Sequence, residues 1–341
     1  METSMTRRNF IKLGLAAALT LGVAGCSFIF KEGEKPLSTD DLPEDEREGP
    51  GQKAGEKEPA PEERAAILKR ALGKTGFQAG VFGLGGAFAI ARDPKQAEII
   101  LNRALDLGVN YIDTAPTYGG SEANIGRALE GRRREFFLAS KTLDRTYDGT
   151  MRLFQQSLKR LRTGHLDLLQ LHGVHTEGDL DKILARNGAL RALEELKDAG
   201  DIRFTGITGH RDPRVLLKGI REYDFDCLLL PLNAADTHFR PFQEELLQEA
   251  LKRNMGVIAM KVASYGRIFK REGITSMEQA LSYVLSFPVS TAVIGISSLE
   301  ELEENVRIAT HAKPLSRESL AHLEGLVKPY YKEANFFKTD W

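Results

Sequence analysis

Eight alternations of a short apolar run with a longer amphipathic stretch, spread over about 230 residues, predict an α/β protein with the (β/α)8 architecture of a TIM barrel. The length of 341 residues accommodates one such barrel with extensions at its ends. A doubly wound sheet is the alternative, but no Gly-x-Gly-x-x-Gly motif opens a helix after the first strand, where Gly83-Leu84-Gly85-Gly86 is only superficially similar. We therefore predict a closed barrel with a disordered N-terminal arm and an extra C-terminal helix.

The strands are predicted from the short apolar runs, and the helices from the amphipathic stretches that fill the gaps between them. The eight strands are predicted at 81–84, 109–113, 136–142, 165–172, 204–208, 227–231, 256–261 and 292–295. The eight helices are predicted at 95–107, 122–129, 150–161, 189–199, 213–223, 242–253, 277–286 and 299–310.

Several helix boundaries have a chemical basis. Gly108, Gly164 and Gly200 each follow a predicted helix, which indicates left-handed helix exits. Asp212-Pro213 indicates a helix start with the aspartate as N-cap and the proline in the first turn. Residues 316–341 predict the extra helix, followed by an aromatic tail.

The N-terminal residues predict an export signal. Two arginines precede a modest apolar run that is too short to span about 30 Å of hydrocarbon, so residues 1–26 resemble a twin-arginine signal peptide, which carries folded proteins. Val23-Ala24-Gly25-Cys26 resembles a lipoprotein box, so Cys26 would carry a lipid anchor; the alternative is simple cleavage. Residues 27–64 are predicted to be a disordered linker, and 65–341 the barrel domain. We expect an exported protein that is periplasmic or anchored to a membrane.

Composition excludes some function classes. A formal net charge of -1 with 28% charged residues suggests no polyanionic partner, so nucleic acid is not expected. Two cysteines cannot build a Cys-rich zinc site or a Cys-based iron–sulfur site, and Cys227, in an apolar run, is predicted to be a core residue. His165, His175 and His210 follow no metal-ligand spacing, and no metal is predicted.

Four polar residues fall where a barrel of this type carries its chemistry, at the C-terminal ends of the strands. Asp113 ends the second predicted strand, Tyr118 follows in the next loop, Lys141 lies near the end of the third strand, and His172 closes the fourth. Each alone has a structural explanation: a helix cap, a loop anchor, a surface ammonium or a satisfied polar plug. Together they indicate proton delivery to a substrate oxygen.

The chemistry behind this hypothesis is acid catalysis by a phenol. A free phenol has a pKa of about 10 and gives up its proton reluctantly at neutral pH. Lys141 would stabilise the phenolate of Tyr118, and Asp113 would keep the buried lysine charged. His172 could orient the carbonyl or share the proton.

The segments that carry these residues resemble the motifs of the aldo-keto reductase superfamily. They read IDTAPTYG at 112–119, LASKT at 138–142 and DLLQLH at 167–172, and the resemblance covers about 70–310. It implies an NAD(P)-dependent oxidoreductase that reduces an aldehyde or ketone by hydride transfer from NADPH or NADH. It further implies Tyr118 as the proton donor, no metal and no covalent intermediate.

The resemblance also implies eight cofactor-binding residues, some at positions that depart from the family pattern. They are Thr208, Asn233, Met260 and Lys261 near the nicotinamide, and Ser297, Ser298, Glu301 and Asn305 in the final phosphate-binding segment. Thr208-Gly209 replaces the usual Ser-Asn, Leu229 takes the place of the usual glutamine, and Met260 that of the usual aromatic residue. Glu301 would repel a 2′-phosphate, which slightly favours NADH. The choice between NADH and NADPH stays open.

Two other functions remain alternatives at this point. The first is a non-catalytic nicotinamide-binding sensor or interaction module on a reductase barrel, which the departures near the nicotinamide would suit. The second is a metal-assisted lyase or hydrolase on the same fold, for which a ligand cluster is missing. The expected partner is a small carbonyl substrate, with its identity, the reaction direction and the oligomeric state unassigned.

Overall fold

The computed structural model of the chain describes residues 66–339, so the predicted signal at 1–26 and linker at 27–64 lie outside the described residues. The strands are β1 (Lys69–Ala71), β2 (Gln78–Gly80), β3 (Phe82–Gly85), β4 (Tyr111–Asp113), β5 (Phe137–Thr142), β6 (Leu166–Leu171), β7 (Ile202–Thr208), β8 (Cys227–Pro231), β9 (Gly256–Met260) and β10 (Thr291–Gly295). The helices are α1 (Ala89–Arg92), α2 (Pro94–Asp106), α3 (Ser121–Leu129), α4 (Tyr147–Leu161), α5 (Glu177–Leu184), α6 (Ala189–Asp198), α7 (Pro213–Glu222), α8 (Glu245–Lys252), α9 (Met277–Leu285), α10 (Leu299–His311), α11 (Arg317–Val327) and α12 (Tyr331–Ala334).

Strands β3 to β10 form a closed barrel in which each strand pairs with its neighbour in sequence. All these pairings are parallel, and β10 closes the barrel by pairing with β3. The predicted (β/α)8 fold is therefore confirmed. Because all the strands run the same way, their C-terminal ends meet at one rim, the mouth of the barrel.

The barrel interior is filled by alternate side chains of the strands. Tyr111, Phe137 and Leu168 pack there with Cys227, which the sequence correctly placed in the core. Tyr111 and Phe137 are stacked with their ring centroids 5.4 Å apart. Since side chains alternate along a strand, the residues two positions further on, at 113 and 139, also face the interior, nearer the mouth.

A short hairpin of β1 and β2 closes the opposite end of the barrel, and the sequence did not predict it. Its turn lies against the start of β9, where a Cβ added to Gly73 would come 2.3 Å from the Gly256 nitrogen. Gly73 has a φ of 50°, so both its conformation and the close approach require glycine. Arg70 anchors the hairpin by donating to the carbonyls of Leu285, Phe287 and Val289 at 2.7 to 3.0 Å.

The predicted helix boundaries are confirmed at three of four positions. Gly108 and Gly200 have φ values of 87° and 80°, as left-handed exits require. Asp212 caps α7 by accepting from the Arg214 N–H, with proline in the first turn. The prediction for Gly164 is wrong, because Arg162 takes the left-handed position at the end of α4 with a φ of 49°.

The segment between β6 and α6 contains a helix, α5, that is absent from the helices predicted from the sequence. Thr176 accepts from the backbone N–H of Asp179, whose carboxylate accepts from the backbone N–H of Thr176 in return. This capping box satisfies two of the N–H groups that a helix start leaves without partners. The Thr-x-x-Asp spacing was visible in the sequence.

The predicted extra helix is confirmed as α11, with Ser316 as its N-cap. The predicted aromatic tail that follows it packs into the protein as far as residue 339. Phe337 is fully buried, and the Lys338 ammonium, also buried, donates to the Asp236 carboxylate at 2.5 Å and to the Phe239 carbonyl at 2.6 Å. Within residues 66–339, none of the helices has the length and apolar character that crossing a membrane requires.

Candidate active site

Asp113, Tyr118, Lys141 and His172 lie together at the mouth of the barrel. Asp113 ends β4, Lys141 lies in β5, His172 follows β6, and Tyr118 lies in the loop before α3. The Lys141 ammonium is paired with the Asp113 carboxylate and donates to the Thr114 carbonyl at 2.8 Å. It also lies 4.8 Å from the centroid of the Tyr118 ring. The structure thus brings all four predicted residues to one place.

The charge on Lys141 depends on these neighbours. The side chain is 1% exposed, and burial alone would lower its pKa. The Asp113 carboxylate and the Tyr118 phenol outweigh burial and raise the pKa of Lys141 above its ordinary value. A fixed positive charge therefore lies beside the phenol at neutral pH.

Gln170 is a part of this site that sequence reasoning missed. It pairs in register with Lys141 across the β5–β6 ladder, and its amide donates to Asp113 Oδ2 at 2.9 Å. The Asp113 carboxylate therefore accepts from Lys141 on one oxygen and from Gln170 on the other. The signal was a polar residue in an apolar strand, two positions before His172 and so on the same face.

His172 faces Tyr118 as a neutral imidazole. Their ring centroids are 5.9 Å apart and the rings are nearly perpendicular, at 84°. Burial, followed by the charge of Lys141, lowers the pKa of His172 to about 2. Its Nδ1 is buried with no hydrogen-bond partner among the described residues. Arg145 fixes the backbone here by donating to the carbonyls of His172 and Gly173 at 2.8 Å each.

A cavity of about 480 Å³ runs from this site towards the start of α10. Asp113 and Tyr118 line one end of it, and Phe88 and Tyr265 line its side. Five of the residues predicted to bind a cofactor also line it: Met260, Lys261, Ser297, Glu301 and Asn305. The cavity thus joins the predicted catalytic residues to the predicted phosphate-binding segment.

The other three predicted cofactor residues lie outside the lining of this cavity. Thr208 is buried at the end of β7. Asn233 uses both atoms of its amide in the protein, since it accepts from the Ala235 N–H at 2.9 Å and donates to the Lys261 carbonyl at 3.1 Å. Ser298 caps α10 by accepting from the Glu301 N–H at 3.3 Å. In this arrangement Asn233 and Ser298 shape the backbone of the site.

The far end of the cavity presents polar groups that suit a nucleotide. Asn305 is 3% exposed, and its Oδ1 has no hydrogen-bond partner among residues 66–339. A buried amide oxygen without a partner is costly, which indicates a donor supplied from the cavity. The Glu301 carboxylate accepts from the Ser297 N–H at 2.7 Å, so a negative charge lies at the start of α10.

The wall of the cavity is built on unusual backbone. Phe88, Lys261, Ser264 and Tyr265 all line it and all have positive φ values, between 47° and 62°. Side chains other than glycine rarely adopt this conformation, and when they do it is commonly at functional sites. The rings of Phe88 and Tyr265 meet with centroids 5.2 Å apart. Sequence reasoning missed Phe88, because no sequence pattern marks a left-handed phenylalanine.

Comparison with known proteins agrees with this architecture. Residues 77–273 match the model of the aldo/keto reductase family. The uncharacterized oxidoreductase YqkF of Bacillus subtilis is 28% identical over 77% of this chain and 97% of the relative. L-galactose dehydrogenase of Arabidopsis thaliana is also 28% identical, over 77% of this chain and 95% of the relative. Among solved structures, the holo form of aldo-keto reductase AKR11C1 from Bacillus halodurans is 27% identical with a TM-score of 0.66, over 76% of this chain and 96% of that chain.

The matched residues make up more than half of the chain and contain the four grouped residues Asp113, Tyr118, Lys141 and His172. The relatives match over nearly their whole length and are oxidoreductases by name. The chain therefore belongs to the aldo/keto reductase family and is an oxidoreductase of that family.

Proposed function

We propose that the protein reduces an aldehyde or ketone with NADPH or NADH, and that Tyr118 is the general acid. The observation that carries this proposal is the buried Lys141 ammonium, held by Asp113 and placed 4.8 Å from the Tyr118 ring centroid. A cation in this position stabilises the phenolate that forms when the phenol gives its proton to the substrate oxygen.

The protein residues would have separate tasks in the reaction. The nicotinamide would supply a hydride to the carbonyl carbon, and Tyr118 would deliver a proton to the carbonyl oxygen. Lys141 would stabilise the phenolate that remains, with Asp113 and Gln170 fixing its position. His172 is neutral at physiological pH, so it would orient the substrate oxygen through a hydrogen bond without adding a charge.

The cavity supports a nucleotide cofactor at its far end. Its volume of about 480 Å³ and the unpartnered Asn305 Oδ1 suit an extended ligand with hydrogen-bond donors. The Ser297 N–H is occupied by the Glu301 carboxylate, so the Ser297 side chain and the Asn305 amide would face the adenosine part of the cofactor. The Glu301 carboxylate would repel a 2′-phosphate, and we propose NADH as the preferred form.

The decisive experiment replaces the phenol without changing its shape. Tyr118→Phe should lower kcat about 100-fold or more on a panel of aldehydes, because general acid catalysis typically contributes that much. The affinity for the cofactor, measured by fluorescence, should change little. Tyr147→Phe is the matched control, since Tyr147 packs under Arg191 and does not line the cavity.

Two results would contradict the proposal. Unchanged turnover in Tyr118→Phe would exclude the phenol as the acid. The parent protein could also bind a nicotinamide nucleotide but neither reduce any aldehyde of the panel nor oxidise the matching alcohols. This result would favour a nicotinamide-binding sensor.

We also propose that the chain is exported in folded form and anchored through Cys26. Support comes only from the sequence, in the paired Arg7 and Arg8 and in the box that ends at Cys26. Replacing both arginines by lysine should retain the protein in the cytoplasm, and Cys26→Ser should release it from the membrane fraction. We further propose that the nicotinamide is bound before transport. Exported protein without bound nicotinamide, measured by mass spectrometry, would contradict this.

A further inference from the structure

The loop between β9 and α9 forms much of the wall of the cavity. Eight of its residues line the cavity, among them Lys261, Ser264 and Tyr265. These three residues have φ values between 47° and 62°, which is a strained conformation for residues other than glycine. Such a backbone persists only where surrounding contacts fix it. We call residues 261–275 the cavity loop.

Tyr330 fixes one end of the cavity loop with its hydroxyl group. The hydroxyl accepts from the Ile274 N–H at 3.2 Å and donates to the Ile268 carbonyl at 2.9 Å. It also lies so close to Gly273 that this residue could not carry a Cβ. Tyr330 begins a segment that continues to contact the loop, and we call residues 330–338 the C-terminal clasp.

Two polar contacts join the rest of the C-terminal clasp to the loop. The Ser264 hydroxyl is buried and donates to the Ala334 carbonyl. At the surface, the Lys270 ammonium pairs with the Glu333 carboxylate at 2.8 Å. The clasp therefore holds the loop at its strained start, in its middle and near its end.

Aromatic packing adds to these contacts. The ring of Tyr265, in the loop, lies between two phenylalanines, with its centroid 5.2 Å from Phe88 and 6.0 Å from Phe336 of the clasp. The Arg267 guanidinium lies 3.8 Å from the centroid of the Phe336 ring. The clasp thus supports the side of Tyr265 that Phe88 does not contact.

The C-terminal clasp is itself anchored to the loops after β7 and β8. The Asn335 amide donates to the Ala235 carbonyl at 2.7 Å, and His210 Nδ1 donates to the Phe337 carbonyl at 2.8 Å. The buried ion pair of Lys338 fixes the end of the segment. The clasp therefore ties the cavity loop to two neighbouring loops of the barrel mouth.

The contact between Phe88 and Tyr265 joins two sides of the β10 end. Phe88 follows β3 and Tyr265 follows β9, and β10 lies between these two strands in the barrel. The Phe88 ring lies so close to Gly295, the last residue of β10, that Gly295 could not carry a Cβ. The cavity extends from Tyr118 to Asn305 in α10. An extended ligand that spans these ends must pass the two rings that line its side.

We propose that the C-terminal clasp holds the cavity loop closed against Phe88, and that opening of this contact sets the rate at which the nicotinamide cofactor is released. The proposal rests on the cofactor site proposed above and adds what controls escape from it. Tyr330 acts as a positioning residue, since its hydroxyl bonds the loop at two places. Once the clasp lets go, the strained backbone favours opening, because opening relieves the strain.

The first test removes one hydroxyl group from the clasp. Tyr330→Phe keeps the ring and loses both hydrogen bonds to the cavity loop. Release of NADH, followed by stopped-flow fluorescence during a chase with excess NAD+, should become about 10-fold faster. Tyr331→Phe is the matched control and should release NADH at the parent rate, because Tyr331 packs against His238 in the loop after β8.

Steady-state kinetics separate this role from a general loss of folded protein. In Tyr330→Phe the KM for NADH should rise, while kcat with a saturating aldehyde should stay equal or rise, because release of the cofactor is often the slow step. A residue that only supports the fold would lower kcat through loss of active protein. A lower kcat with an unchanged rate of NADH release would overturn the proposal.

Hydrogen exchange follows the cavity loop without cofactor or turnover. In the cofactor-free protein, the amides of residues 261–275 should exchange about 10-fold faster in Tyr330→Phe than in the parent, measured by mass spectrometry. The amides of the barrel strands should keep their rates. Equal exchange of the loop in the two proteins would show that the clasp does not hold it.

A charge reversal gives a second pair of variants, which decides the question if Tyr330→Phe does not fold. Glu333→Lys places two cations together and should speed NADH release about threefold at low salt. Adding Lys270→Glu restores an ion pair and should restore slow release. No acceleration in Glu333→Lys, or an acceleration that the second change does not reverse, would contradict the proposal.

The outcomes separate the two proposals. A parent that binds neither NADH nor NADPH overturns the cofactor site proposed above, whereas hydrogen exchange still decides whether the clasp holds the loop. A parent that binds NADH and releases it as fast as Tyr330→Phe does overturns the control of release alone.

Discussion

Replacing Asp113 by asparagine tests the central electrostatic feature of the site. The carboxylate offers two acceptor oxygens, one to Lys141 and one to Gln170. Asparagine offers one acceptor and one donor, so its NH2 group must face either the Lys141 ammonium or the Gln170 amide. The variant therefore gains an unmatched donor and loses the negative charge that pairs with Lys141. Both changes are costly because the Lys141 side chain is only 1% exposed.

The expected loss of stability is large. Removing one partner of a buried ion pair typically costs about 3–5 kcal/mol, and we expect about 3 kcal/mol because asparagine keeps one acceptor. This corresponds to about a 100-fold smaller ratio of folded to unfolded protein. Without Asp113, burial should dominate and lower the pKa of Lys141, so the variant should need the neutral amine.

This pKa change fixes the sign of the pH dependence. In the variant, the pKa of Lys141 in the folded state should lie below its value in the unfolded state, so the unfolded state binds more protons. The stability of the variant should therefore rise with pH, up to the unfolded pKa of about 10.4. The deficit relative to the parent should therefore be greatest near neutral pH and shrink towards pH 10. Turnover should fall steeply on the alkaline side, where Lys141 no longer supports the phenolate.

Urea denaturation from pH 6 to 10 and the pH profile of kcat measure both effects. Asp167→Asn is the matched control, since Asp167 is a buried carboxylate paired with Arg133 and Arg203 at 2.7 and 2.8 Å, at the start of β6. It should lose stability as well but keep its activity per folded molecule. A loss below about 1 kcal/mol in Asp113→Asn, together with an unchanged pH profile, would refute the role given to this pair.

Three further predictions concern the cofactor end, the C-terminal segment and acid stability. Glu301→Lys should shift the ratio of kcat/KM values for NADPH over NADH upwards about 10-fold or more, measured with one aldehyde, and an unchanged ratio would remove Glu301 from cofactor selection. Lys338→Met should destabilise the fold by about 3 kcal/mol, because it leaves the buried Asp236 charge unpaired; a loss under about 1 kcal/mol in urea denaturation would contradict this. Burial, then His175, lowers the pKa of His210 to about 3, so the folded state loses stability as the pH falls below about 6.5. His210→Gln should reduce this slope by up to about 1.4 kcal/mol per pH unit between pH 4 and 6, and an equal slope in both proteins would show that His210 does not cause it.

The barrel and the grouping of Asp113, Tyr118, Lys141 and His172 were predictable because periodic patterns and strand ends carry the information. Each of these four residues lies at or just after a C-terminal strand end, where the fold brings side chains together. Gln170 could have been found by the same logic, since strand alternation puts it on the face of His172. The Thr176-x-x-Asp179 spacing likewise indicates the start of α5.

Other features depend on contacts that no local pattern records. The hairpin strands β1 and β2 have three residues each, too few to show a period. Lys338 looks like a surface residue until its partner, 102 positions earlier, is known. The left-handed Phe88 likewise depends on packing against Tyr265, which is far away in the sequence.

The ion pair between Lys338 and Asp236 has a consequence for the time course of synthesis. At about 5–20 residues per second, the 102 residues that separate the partners take roughly 5–20 s to translate. During this interval the Asp236 carboxylate lacks the lysine that pairs with it in the folded protein, and Phe337 is not yet present beside His210. The contacts at this part of the mouth can therefore be completed only after residue 338 has been synthesised.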